Sequence, residues 1–287
     1  MAAYSKQHFI PQFLLKQWAG EDDQKLTHFF RFRGELQAKR KSPAVVAREN
    51  NLLNFRYRQD KPSHKMESVF MGPEIDNPAG PVLFQMLCHG VSDLTDAQVS
   101  VWARLVASLI LRNPIAVKTV LRGNELADYF RSTLNGFQSD YDAIRGPNDP
   151  KSPLAYLDHA MPGYANDAGI AAIPEAIESL ARRIAEKEWA VISINLCRFD
   201  FLLGDKAVMV TKEEGTDVDI VFLPISPRHI FVAGRDGKAW KKLLRLSPDK
   251  LTRLVNEDMV LHAEKDVFSS GPHHRRFVDR RLKNQLE

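Results

Sequence analysis

His8 stands three positions ahead of Pro11, and Pro11 suits the first position of a helix, where a missing N–H is not needed. Unpaired N–H groups at a helix start attract anions and favour a neutral imidazole. His8 is therefore a candidate general base or phosphate contact, the plain alternative being a hydrogen bond that anchors the first segment. Asp205 follows Gly204 between two β-prone runs. A carboxylate on a tight turn can act as a base or metal ligand, and Gly-Asp is equally sufficient as a hairpin turn. Arg112 follows a long apolar run; its planar guanidinium can clamp a carboxylate or phosphate, or pair internally and hold helices together. Glu67 and Glu74 are two turns apart on one face if their helix is continuous, and two such carboxylates can hold a divalent cation.

Two basic clusters can meet phosphates: Lys39-Arg40-Lys41, and His273-His274-Arg275-Arg276 with Arg280, Arg281 and Lys283. Their alternative is a solvated surface. Lys plus Arg number 40 against 36 Asp plus Glu, a formal charge of +4, which permits a nucleic-acid partner without demanding one. Several mechanisms lack their residues. There is no Walker A, GxGxxG or HExxH pattern. Ser226 lacks the flanking glycines of a nucleophile elbow and reads as a turn residue. Cys88 and Cys197 fit no CxxC pattern and suit a reducing, cytoplasmic setting.

The elements that must position these groups follow from periodicity. Residues 11–18 read as a short helix and 26–38 as a β-hairpin turning at Gly34. Residues 65–71 and 81–88 read as helices, with a break expected at Gly72-Pro73 and Asn77-Pro78. Thr95-Asp96-Ala97-Gln98 is a capping box opening the strongest helix, whose apolar stripe is Val99, Trp102, Leu105, Val106, Leu109 and Ile110. Pro114 should end or kink it. Residues 135–172, rich in Gly, Pro, Asn, Asp and Ser, read as loop with one or two short helices. Pro174 opens another amphipathic helix. From Trp189 the character changes to short β-prone runs, 189–196, 199–203, 207–211, 218–223 and 229–233, separated at Gly204-Asp205, Gly215 and Pro224. A helix capped by Ser247 and a basic, helical tail over 275–283 close the chain. No segment offers a membrane span. The fold class is α+β: a mainly helical part with an N-terminal hairpin over 1–187, and a small antiparallel sheet with closing helices over 188–287, within one domain.

Several of these patterns, in this order, resemble the uncharacterised, mainly bacterial family called domain of unknown function 4238. They are Gln7-His8-Phe9-Ile10-Pro11, the acidic Glu67 and Glu74, Arg112-Asn113-Pro114, Phe201-Leu202-Leu203-Gly204-Asp205, and Leu223-Pro224-Ile225-Ser226-Pro227. Ala207 stands where that family commonly has Pro. The resemblance spans residues 7–270 and implies no reaction. It adds weight to a functional role for Asp205.

Two functions are expected from these residues. The first is a nucleic-acid-directed hydrolase or toxin-like effector whose site gathers His8, Asp205, Arg112 and Glu74, with a divalent metal as possible cofactor. The second is a non-enzymatic module that binds a protein or small ligand, with the same residues as structural anchors.

Overall fold

The computed structural model describes residues 6–55, 64–195, 197–212, 219–235 and 238–283. Among the described residues ten strands accompany the helices: β1 Lys6–His8, β2 Leu26–Phe32, β3 Glu35–Lys41, β4 Arg48–Asn50, β5 Glu188–Ser193, β6 Leu203–Gly204, β7 Met209–Lys212, β8 Asp219–Ser226, β9 His229–Gly234 and β10 Asp266–Ser269. The fold is α+β. All strand pairings are antiparallel, in sheets ordered β1-β4, β3-β2-β10-β6 and β5-β9-β8-β7. The turn expected at Gly215 lies outside the described residues, as do Leu196 and Val218.

The sheet over 188–234 is covered on both faces, which explains its nearly continuous apolar strands. Side chains alternate along a strand. Phe231 and Ala233 of β9, with Val221, Leu223 and Ile225 of β8, enter the core shared with the helix Asp96–Leu111. Ile230, Val232 and Phe222 enter a second core, under Leu251, Val255 and Met259 of the helix Pro248–His262. Trp102 meets Phe231 edge-on with ring centres 5.8 Å apart, and Trp189 meets the same ring at 5.1 Å. The capping box forms as expected: Gln98 N–H donates to Thr95 Oγ1 and Thr95 N–H to the Gln98 side chain.

Four expectations change. Gly204-Asp205 is not a hairpin turn, because β6 pairs with β10 and β7 with β8, in separate sheets. The N-terminal hairpin is not isolated. It is extended by β10, from near the chain's end, and then by the short β6, around a third core that includes Phe29, Leu202, Val260 and Val267. Residues 135–172 hold more helix than expected, including Gln138–Ile144, Pro153–Ala160 and Ala168–Ala171. The break at Gly72-Pro73 and Asn77-Pro78 is also absent: the π-helix Met66–Asp76 passes directly into the α-helix Asn77–His89. Proline in an α-helix lacks the N–H and strikes the carbonyl four residues back. In a π-helix the bond reaches one residue farther and the turn is wider, so Pro73 is accommodated without a stop.

Candidate functional site

Four side chains from three parts of the chain form a polar cluster against the helical core. His8 ends β1, opposite Arg48 of β4. Glu67 and Asp76 lie near the two ends of the π-helix. Arg112 terminates the helix Asp96–Leu111, where Arg112 N–H donates to Ser108 O at 2.8 Å. The π-winding decides which acids face inward. A wide helix of roughly 4.4 residues per turn returns to the same face after about nine residues, not seven. Glu67 and Asp76 therefore share a face, and Glu74 is turned out to solvent.

The Arg112 side chain is fully buried, with its terminal nitrogens donating to both Asp76 oxygens, at 3.0 Å (Nη1 to Oδ2) and 2.8 Å (Nη2 to Oδ1). Such a two-point pairing is directional and strong. It leaves Arg112 Nε buried without a protein partner. His8 Nε2 and Glu67 Oε2 are buried and unpartnered in the same way. The His8 ring is hydrogen-bonded to the Pro43 carbonyl, which leaves the other nitrogen as its basic lone pair. Burial, reinforced by the cations Arg48 and Arg112, lowers the His8 pKa against the raising influence of Pro43 and Asp76. Burial raises the Glu67 carboxyl, with Asp76 adding to the effect and Arg112 opposing it. The cluster thus shifts the imidazole toward its neutral form and the carboxyl toward its protonated form, opposite shifts of the kind that acid–base chemistry uses.

Asp205 is nearby but differently employed. Its carboxylate accepts four backbone N–H bonds, from Lys206 (2.9 Å), Glu264 (2.9 Å), Lys265 (2.7 Å) and Asp266 (3.0 Å). Burial pushes this carboxyl up, and the N–H donors of Asp266, Glu264 and Lys265 pull it back. Asn113, next to Arg112, donates to the Asp205 carbonyl at 3.0 Å. Asp205 therefore ties the turn after β6 to the loop before β10 and to the end of the long helix. With Phe9, Arg48, Asn113 and Lys118 it lines a pocket of about 330 Å³. Among the described residues Glu74 has no hydrogen bond or ion pair to His8 or Arg112; its backbone carbonyl lies 3.5 Å from Arg104 Nη1.

The basic clusters are brought together. Arg40 donates to the Ser270 carbonyl at 2.9 Å, and Arg275 to the Leu36 carbonyl at 2.9 Å, so β3 and the C-terminal segment share one edge. Lys39 and Lys41 stand over the Phe30 ring, 5.7 Å and 5.2 Å from its centre. Arg40 is also paired with Asp23.

The family model described as "Protein of unknown function (DUF4238)" matches residues 6–273. The chain belongs to the DUF4238 family. No curated protein and no solved structure matches it. The DUF4238 match includes all four clustered residues. Asp76 was not singled out from sequence; the signal that reveals it is its nine-residue spacing from Glu67, which becomes meaningful once the helix is known to be π-wound. Among the described residues no single helix is long and apolar enough to cross a membrane.

Proposed function

We propose that this DUF4238 chain is an acid–base hydrolase of phosphodiester substrates, with nucleic acid as the substrate class. The observation that supports it is the cluster's set of unpartnered buried atoms: an imidazole nitrogen and a carboxyl oxygen beside one fixed guanidinium. In the proposed reaction His8 Nε2 takes a proton from water as the water oxygen attacks phosphorus. Glu67 gives its proton to the departing oxygen as the P–O bond breaks. Arg112, held by Asp76, supplies fixed positive charge for the developing anion. Arg48 and Lys118, the latter paired with Glu49, line the adjoining pocket and would meet flanking phosphates. Asp205 positions the surrounding loops, and Glu74 stands outside the reaction. A divalent ion, if used, would have Glu67 as its first carboxylate, since both Asp76 oxygens are engaged by Arg112. Lys39, Arg40, Lys41, Arg275 and Arg276 would contact the polymer backbone away from the cluster. The thiols of Cys88 and Cys197 are both free, which favours a reducing, cytoplasmic setting.

A non-enzymatic binding module is the second reading, favoured by the commitment of Asp205 and Arg112 to internal partners. The test is cleavage of end-labelled RNA and DNA, with and without magnesium or manganese, by wild type, His8→Ala and Glu67→Gln. The proposal expects each variant to fold and to lose roughly 10²- to 10⁴-fold in rate. A folded His8→Ala chain that cuts as fast as wild type removes the base. Wild type that binds either polymer without cutting it supports the module.

A further inference from the structure

A second polar constellation, sharing no residue with the His8 cluster, sits beside the C-terminal helical segments. Asp200, His273 and His274 each present a ligand-type atom, all within 4.8 Å of one another. His273 Nε2 lies 3.7 Å from Asp200 Oδ2. His274 is buried, and its Nε2 has no protein partner. Asp200 is oriented from outside the trio: Arg228 Nη2 approaches Oδ1 at 3.0 Å, and the Ser270 hydroxyl donates to Oδ2. His274 is further bounded by the Phe199 ring, 6.3 Å between centres.

Both histidines open onto a cleft of about 860 Å³, whose other walls include the cations Lys250, Arg253, Arg276 and Arg280 and one carboxylate, Asp249. None of these four cations is paired to a carboxylate among the described residues. So dense a positive wall calls for an anion.

We propose that Asp200, His273 and His274 hold a divalent transition-metal ion, and that the cleft beside it takes a phosphate group on the metal's open side. The donor set is two imidazoles and a carboxylate, which suits zinc, iron, cobalt or manganese rather than calcium. Bonds of about 2.0–2.1 Å place ligand atoms on the order of 3.3 Å apart in tetrahedral geometry. The 3.7 Å between His273 Nε2 and Asp200 Oδ2, in a set whose atoms lie within 4.8 Å of one another, would narrow by rotation of the half-exposed His273 ring. Three protein ligands leave at least one position open, as in catalytic rather than structural sites. A divalent ion added to a cationic wall is opposed by like charge, and phosphate relieves that opposition. Metal and phosphate must therefore strengthen each other's binding by the same factor. Gly271 makes the arrangement possible: a Cβ there would lie 2.9 Å from His273 Nδ1, closer than real contacts allow, and would displace the imidazole.

The experiment is titration of the tag-free full chain with cobalt(II), followed by visible absorption and calorimetry, with and without inorganic phosphate. One equivalent should bind, with an absorption spectrum altered by phosphate and cobalt affinity raised by roughly 5- to 150-fold. His273→Ala and Asp200→Asn should each weaken cobalt binding by at least about 100-fold, since even outer-shell changes cost 10- to 100-fold. Gly271→Ala, which retains every ligand, should weaken it as well. Arg276→Ala with Arg280→Ala should abolish the phosphate effect and leave cobalt binding alone intact. Circular dichroism confirms that each variant is folded. Folded His273→Ala that binds cobalt like wild type, or wild type with no stoichiometric uptake, overturns the metal site. A cobalt spectrum and affinity indifferent to phosphate overturns the open anion position. His8→Ala leaves this titration unchanged, so failure here is distinct from failure of the hydrolase proposal.

Discussion

Removing Asp76 should be among the most damaging single changes in the chain. Asp76→Ala leaves the Arg112 guanidinium fully buried, with both terminal nitrogens stripped of acceptors that stood at 2.8 and 3.0 Å, and with Nε already unpartnered. Asp76 itself is only partly covered, so water can enter its place and soften the loss. A buried pair broken on one side costs about 3–5 kcal/mol. The partial opening places the expectation at the lower end, about 3 kcal/mol. Urea denaturation followed by tryptophan fluorescence measures it, provided the slope with denaturant is unchanged. The double variant Asp76→Leu, Arg112→Met removes both charges and should recover most of the loss, because the isolated charge, not the missing bond, carries the penalty. A cost below about 1 kcal/mol for Asp76→Ala, or a double variant as unstable as the sum of the singles, would refute the reasoning.

Asp205→Asn should cost about 2–4 kcal/mol, because one oxygen facing backbone N–H donors becomes an amide that cannot accept from them; urea midpoints check this, and a loss under about 0.5 kcal/mol counts against four-fold N–H capture. Gly204→Ala should cost about 1–3 kcal/mol, since its Cβ would lie 2.9 Å from the Met259 carbonyl and push β6 off the helix Pro248–His262. The two shifted groups make opposite demands on pH. For His8, lowered from the ordinary 6.5, the unfolded chain takes up the proton first, so stability is lost as pH falls from about 6.5 toward the lowered value. For Glu67, raised from 4.5, the unfolded chain ionises first, so the contribution is full below about 4.5 and is lost as pH rises through the raised value. Relative to wild type, His8→Gln should gain stability on going from pH 7.5 to 5.5, and Glu67→Gln on going from pH 4 to 7; urea midpoints that move together at both ends refute these assignments.

Much of the architecture is local and so was legible in the chain. The stripe from Trp102 to Leu109, the Thr95 capping box and the alternation around Gly34 each declare a helix or hairpin without help from distant residues. His8 and Arg112 were legible for a related reason: each sits beside an element end that periodicity and proline mark. Seven-residue spacing puts Glu67 and Glu74 on one face only under α-winding. Met66–Asp76 is π-wound instead, with Met71 and Ile75 in the core, and its inward acids are Glu67 and Asp76.

Period, capping and turn chemistry act over a few neighbouring residues, so they mark most helices and strands and the α+β class, but neither the π-winding of Met66–Asp76 nor all the helix within 135–172. Only the tertiary structure decided that β10 extends the hairpin sheet, that Asp205 faces four N–H groups, and that Asp200 meets two histidines more than seventy positions away. Contacts between distant segments are set by how cores pack and which carbonyls and amides must be satisfied, and no short-range pattern records them.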